Sequence, residues 1–178
     1  MGGRTMKKKI EKDFAAAYDQ HADAIFRHCY TRTGNRALAR DLTQETFLRA
    51  WGSVAEGAAI ENLRAFLYRV ATNAVIDHVR KAKEYSLDTM MDEGFDPASR
   101  GHYAITARAD YGDFMRALTR LDDMHKTVVT MRLIDDMSPR EIAKILNEPE
   151  NTVSVRIHRG IKKLKELLSQ TDSTTKTI

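Results

Sequence analysis

Residues 138–168 read SPREIAKILNEPENTVSVRIHRGIKKLKELL, and this stretch decides the fold. Ser138 stands where it caps a helix, Pro139 where a missing N–H costs nothing, and Glu141 where its carboxylate completes a capping box. Ile142, Ala143, Ile145 and Leu146 then face a core. Asn147-Glu148 makes a short turn, and Pro149 opens a further helix from Glu150 to about Leu168. On that helix Val153, Ile157, Gly160, Ile161, Leu164 and Leu168 gather on one side. Ser154, Val155, His158, Arg159 and Lys162 project from the other. A short helix, a tight turn and a longer helix with a basic outer face make a helix-turn-helix, which lays its second helix in the major groove of DNA. Arginine there reads guanine through two hydrogen bonds, whereas lysine chiefly neutralises phosphate. A solvated basic helix is the plainer alternative.

Working back toward the N-terminus, helical periodicity resumes near Arg108, so a second helical module spans 108–169. Residues 84–107 lose the period. Met90, Met91, Gly94, Asp96-Pro97, Ser99 and Gly101 form an acidic, turn-rich stretch that reads as a flexible linker. A first module spans 10–83. Its first helix runs from Ile10 to Thr33 on Phe14, Ala17, Tyr18, His21, Ile25, His28 and Cys29, and ends at Gly34-Asn35. A second helix is expected from Arg36 to Trp51 and a loop from Gly52 to Glu61. A third runs from Leu63 to about Lys83 behind an Asn62 cap, with Leu63, Phe66, Leu67, Val70, Ala74 and Val79 as its inner stripe. The polar tail from Ser169 is expected to fray. The fold class is therefore all-α, two small helical domains joined by a linker.

Composition narrows the function. The 178 residues carry a net charge of +4, which permits a nucleic-acid partner without demanding one. The basic residues cluster at Lys7–Lys9 and between Arg156 and Lys165, and acids collect at Asp88, Asp92, Glu93 and Asp96. Cys29, the one cysteine, excludes an internal disulfide and a multi-cysteine zinc site, and suits a reducing cytosol. No apolar run is long enough to span a bilayer, so no membrane insertion is expected. The charged Ile10-Glu11-Lys12-Asp13 that follows the lysines is unlike the apolar core of a signal peptide, which points to a cytoplasmic protein.

Four stretches carry a family likeness. Glu141-Ile142-Ala143 followed by Pro149 to Arg159 closely resembles region 4 of extracytoplasmic-function sigma factors, a group of the sigma-70 family. Asp41-Leu42-Thr43-Gln44-Glu45-Thr46-Phe47-Leu48-Arg49-Ala50-Trp51, Phe66 to Asn73, and Asp77-His78-Val79-Arg80 resemble region 2 of the same family. The likeness covers roughly Phe14 to Leu168, with both modules in the family's order. It implies a protein that binds bacterial core RNA polymerase and directs it to promoter DNA, with an anti-sigma factor as regulator and no enzymatic activity, cofactor or metal of its own. It further implies that Asp41, Leu42, Gln44 and Glu45 dock on polymerase. Asn73, Arg64, Arg69, Arg80 and Lys81 would meet the opened minus-10 element, with Asn73 bonding an unpaired base. Arg132, Ser154, Val155, His158, Arg159 and Lys162 would meet the minus-35 element. Arg156 is open to a phosphate contact or an intramolecular pair.

The sequence also departs from the family pattern. The loop Val54 to Ile60 lacks the usual aromatic, with Gly57 near its position. Phe66 replaces a common tryptophan, Arg40 a familiar acid, and Asp122 a usual proline, where aspartate can itself cap a helix.

Two other functions compete. A stand-alone helix-turn-helix regulator explains the second module but leaves the Asp41–Trp51 and Phe66–Arg80 motifs unused. A metal-dependent nuclease built on Asp41, Glu45, Asp77 and His78 lacks any accompanying phosphate loop or HExxH pattern. His21 and His28, near Cys29, are expected in the core or at its boundary rather than on a metal.

Overall fold

The computed structural model describes residues 2–86 and 105–175, with side chains described over 11–81 and 111–170. These residues form seven helices: α1 (Gly2–Thr33), α2 (Arg36–Ala55), α3 (Leu63–Ser86), α4 (Ile105–Thr119), α5 (Asp123–Leu133), α6 (Pro139–Leu146) and α7 (Glu150–Thr175). The first three belong to one compact unit and the other four to a second. Most of the stretch expected as a linker, 87–104, lies outside the described residues, but its two ends are helical instead, because α3 runs on to Ser86 and α4 begins at Ile105.

In the first unit, Gly34 at φ +66° turns the chain out of α1. The Asn35 side chain then accepts the Leu38 N–H at 3.0 Å and caps α2. The expected loop starting at Gly52 is overturned, since α2 continues to Ala55. Gly52 keeps its place in the helical ladder, its carbonyl accepting the Glu56 N–H at 3.0 Å. The stop falls instead at Gly57, which takes φ +89°. Asn62 caps α3 as expected, Oδ1 accepting the Ala65 N–H at 2.9 Å.

The inner stripe of α3 is wider than the spacing implied and is centred elsewhere. Leu67, Tyr68, Ala71, Thr72, Ala74 and Val75 are buried, while Leu63, Phe66, Val70 and Val79 lie at the margin. The helix packs against both α1 and α2, so it buries two flanks rather than one. The buried hydroxyls of α2 are accommodated locally. Thr43 and Thr46 donate to the carbonyls of Ala39 and Leu42, each at 2.7 Å. His28, fully buried beside Cys29, meets Thr72 Oγ1 at 3.3 Å and the Tyr68 ring edge-on. Phe14, Tyr18, Phe47 and Trp51 join α1 to α2 through edge-to-face contacts, the closest being Tyr18–Phe47 at 4.7 Å.

In the second unit, Asp122 caps α5, accepting the His125 N–H at 3.1 Å. The Ser138–Glu141 capping box forms in full, with Pro139 in the first turn of α6. Asn147, at φ 55°, takes the left-handed conformation that ends α6, and the Glu148 N–H returns to the Ala143 carbonyl at 3.0 Å. Ile142, Ala143 and Ile145 are buried with Val153, Ile157 and Leu164 of α7. Where α7 crosses α5, the residue at the crossing is Gly160: a Cβ there would lie 2.6 Å from Val129 Cγ2. The tail departs from expectation, because α7 runs on to Thr175. No glycine or proline interrupts it after Gly160, and Ser169 Oγ bonds the Lys165 carbonyl at 3.1 Å rather than competing for the helix end.

Candidate nucleic-acid and polymerase interfaces

The outer face of α7 presents Val155, His158, Arg159 and Lys162 to solvent, with Ser154 half-buried beside them. Arg156 is not on offer to DNA in the same way. Its guanidinium makes a two-pronged pair with Glu148 in the turn, Nη1–Oε1 at 2.9 Å and Nη2–Oε2 at 2.8 Å. That pair ties the start of the recognition helix to the turn before it. Arg132, read as a DNA contact, is partly exposed but also braces the α5–α6 loop, donating to the Met137 carbonyl at 3.2 Å.

A groove of about 500 Å³ runs between the first turn of α5 and the outer face of α7, lined by Met124, His125, Asn151, Thr152, Val155 and Arg159 among others. Exposed Met124 brings α5 to the edge of the reading face. Sequence reading missed it, because most of its neighbours in the groove come from the other helix. At the same end of α5, partial burial by itself pushes the Asp122 carboxyl up. The His125 backbone N–H, its ring and the Lys163 ammonium, 3.1 Å away, outweigh that and hold it well below the usual carboxylate range.

On α3, Arg69, Asn73, Ile76 and Arg80 recur at four-, three- and four-residue steps and share one exposed stripe. Lys81 is exposed on its flank, and Arg80 pairs with Asp77 at 3.3 Å. Arg64 is not brought to this stripe. It lies roughly two and a half turns before Asn73, on the other side of the helix, over the Tyr68 ring at 5.6 Å. There it faces α1: burial first, and the Arg64 charge second, push the His21 imidazole below its ordinary pKa.

On α2, Asp41, Gln44 and Glu45 share an outward face, with Glu45 ion-paired to Arg49. Leu42 must be corrected. Only 5 % exposed, it packs in the core and offers no side chain to a partner. The apolar member of the face is Leu48, 70 % exposed and one helical turn beyond Glu45. A helical wheel drawn through Asp41 would have found it, since Leu48 lies off the stripe formed by Leu42, Phe47 and Trp51.

Among the described residues, no three His, Cys, Asp or Glu side chains gather as a metal site. No described helix is long and apolar enough to cross a membrane.

Both units match known proteins. Residues 17–85 match the family model for Sigma-70 region 2, and residues 111–164 match that for Sigma-70, region 4. The ECF RNA polymerase sigma factor SigW of Bacillus subtilis is 33% identical over 175 residues, covering 93% of this chain and 94% of that one. SigL of Mycobacterium tuberculosis, also an ECF RNA polymerase sigma factor, is 31% identical over 156 residues, covering 87% and 88%. Among solved structures, RpoE of Bartonella quintana, crystallised with the anti-sigma factor NepR, superposes with a TM-score of 0.72 at 23% identity, covering 89% of this chain and 98% of that one. This last likeness is one of fold.

Proposed function

Because the chain belongs to the extracytoplasmic-function group of the sigma-70 family, we propose that its two units divide promoter recognition between them, α7 reading the minus-35 element and α3 holding the opened minus-10 element. A sigma factor directs transcription initiation by RNA polymerase and is not itself an enzyme. A stand-alone regulator would have no use for a region 2, and here region 2 occupies a whole compact unit. The observation that carries the division of labour is that Asn73 and Arg159 stand exposed on separate units, each on a face rich in basic side chains. Duplex DNA is read through base edges in the major groove, the task a basic recognition helix performs. An unpaired strand needs a hydrogen-bonding group for the base and cations for the backbone, which Asn73, Arg69 and Arg80 supply.

The acceptors Asp41, Gln44 and Glu45, with Leu48 among them, are the proposed polymerase-docking face: a small apolar anchor rimmed by acids suits a basic partner. An anti-sigma protein is the expected regulator, as for the related fold of RpoE with NepR, and the cytoplasm the expected compartment.

Footprinting of closed and open complexes tests the division. Arg159→Ala should lose minus-35 protection by on the order of 1–3 kcal/mol in a sequence-dependent way. Asn73→Ala should keep that protection and fail in opening. The division fails if Arg159→Ala blocks initiation on a pre-opened promoter, or if Asn73→Ala abolishes minus-35 protection.

A further inference from the structure

Ile76 sits where neither the core nor the charged face explains it. It is 43 % exposed, while its neighbours Ala74 and Val75 are buried. A single exposed aliphatic side chain is ordinary on a protein surface. This one stands in the same stripe as Asn73 and Arg80, one turn after the first and one turn before the second. Arg80 follows it by one turn, Arg69 precedes it by two, Lys81 is exposed on the flank, and the carboxylate of Asp77 is paired with Arg80. That charge pattern complements a phosphodiester strand and disfavours a basic protein surface.

Resting on the reading of α3 as the minus-10 face, we propose that Ile76 is a base-selective residue whose side chain packs on the C5-methyl group of a thymine in the separated strand. Thymine alone among the four DNA bases carries such a methyl, and aliphatic contact is how proteins sense it. A β-branched side chain in a helix is held to one main rotamer, so the contact costs little ordering. Asn73 on one side and Arg80 on the other fix the strand between a base-bonding amide and a phosphate-binding guanidinium. Ile76 then meets a base rather than the backbone. The contact is made by an apolar group, so it discriminates without a hydrogen bond.

The test uses complete holoenzyme, core polymerase with the wild-type chain or with Ile76→Ala, on a promoter identified by mapping transcript 5′ ends. Each thymine of the minus-10 non-template strand is replaced in turn by deoxyuridine, which lacks the methyl. With the wild-type chain, one replacement should weaken open-complex formation by roughly fivefold, the factor supplied by burying about one methyl group. Ile76→Ala should lose the same factor on the natural promoter and become indifferent to that replacement. Ile76→Val, which keeps the β-branch and loses only the terminal methyl, should keep most of the sensitivity. The proposal is overturned if Ile76→Ala remains as sensitive as wild type, if Ile76→Val behaves like Ile76→Ala, if no replacement affects the wild type, or if the segment contains no thymine. Failure of the underlying reading shows differently: Asn73→Ala holoenzyme would open the promoter as well as wild type does, which overturns both.

Discussion

Glu148 and Arg156 join the turn of the helix-turn-helix to its recognition helix through two parallel hydrogen bonds of 2.9 and 2.8 Å. Their side chains are 31% and 15% exposed, so the pair is neither fully buried nor free in water. Its geometry is the fork-on-fork arrangement that favours arginine over lysine.

Breaking that pair should act on stability before it acts on DNA. Arg156→Gln should destabilise the second unit by on the order of 1–2 kcal/mol, between the worth of exposed and buried pairs. Glu148→Gln should cost a similar amount, and the double variant less than the sum. Urea denaturation of the four proteins checks this. Strict additivity would mean that the two residues do not interact.

Gly160→Ala should destabilise, although alanine is the better helix former by about 1 kcal/mol. The new methyl would lie 2.6 Å from Val129 Cγ2 and 3.4 Å from His125 Cβ. Val129 is fully buried and stiff, so overpacking of about 1–3 kcal/mol should win. Adding Val129→Ala should recover part of the loss. A Gly160→Ala variant that melts above wild type would contradict the close crossing of α5 and α7.

Asp122→Asn isolates a charge from a cap, because asparagine caps helices as well as aspartate does. A carboxyl whose folded-state pKa is lowered contributes stability that is fully present above its unfolded value of about 3.9. That contribution is lost as the pH falls through the lower folded value. The side chain is half-exposed, so the effect at neutral pH should be below about 1 kcal/mol after screening. Denaturation curves of wild type and variant should differ at pH 7 and converge as the pH drops below 4. A gap that widens on acidification would contradict the assigned contacts to His125 and Lys163.

Reversing Asp41 and Glu45 together to Lys should weaken binding to core polymerase by on the order of tenfold or more with helicity unchanged, since like charges facing each other at an interface are costly. Leu48→Ala should also weaken it, and Leu42→Ala should instead lower stability by opening a core cavity. Affinity measurements paired with circular dichroism separate the cases. Normal polymerase affinity in the folded double variant would remove this face of α2 from the interface.

How much of this was legible in the sequence depends on how far each interaction reaches along the chain. The Ser138–Glu141 capping box, the Asn62 cap and the aspartate cap at Asp122 were readable, because each lies within one helical turn. The helix-turn-helix was readable for the same reason, its two stripes being set by local periodicity. The extent of α2 was not, because Gly52 and Gly57 look alike until the backbone shows which of them leaves the helix. The buried face of α3 was misplaced because packing on two neighbours hides residues that a single-face wheel leaves outside. Of the candidate site residues, Leu42 is buried and Arg64 lies away from the Asn73 stripe, whereas Leu48 and Ile76, which the sequence reading did not single out, share the proposed faces. The choice between phosphate and Glu148 as the partner of Arg156 needed the turn geometry set by Asn147.

The central claim, that both units serve one act of promoter-directed initiation, is tested most directly by adding the purified chain to bacterial core RNA polymerase and sequencing the 5′ ends of the transcripts made from genomic DNA. The expected result is a discrete set of new start sites sharing two sequence elements, one near minus-10 and one near minus-35, with the chain binding duplex DNA poorly when polymerase is left out. Start sites unchanged from those of core polymerase alone, together with tight sequence-specific duplex binding by the chain on its own, would contradict it.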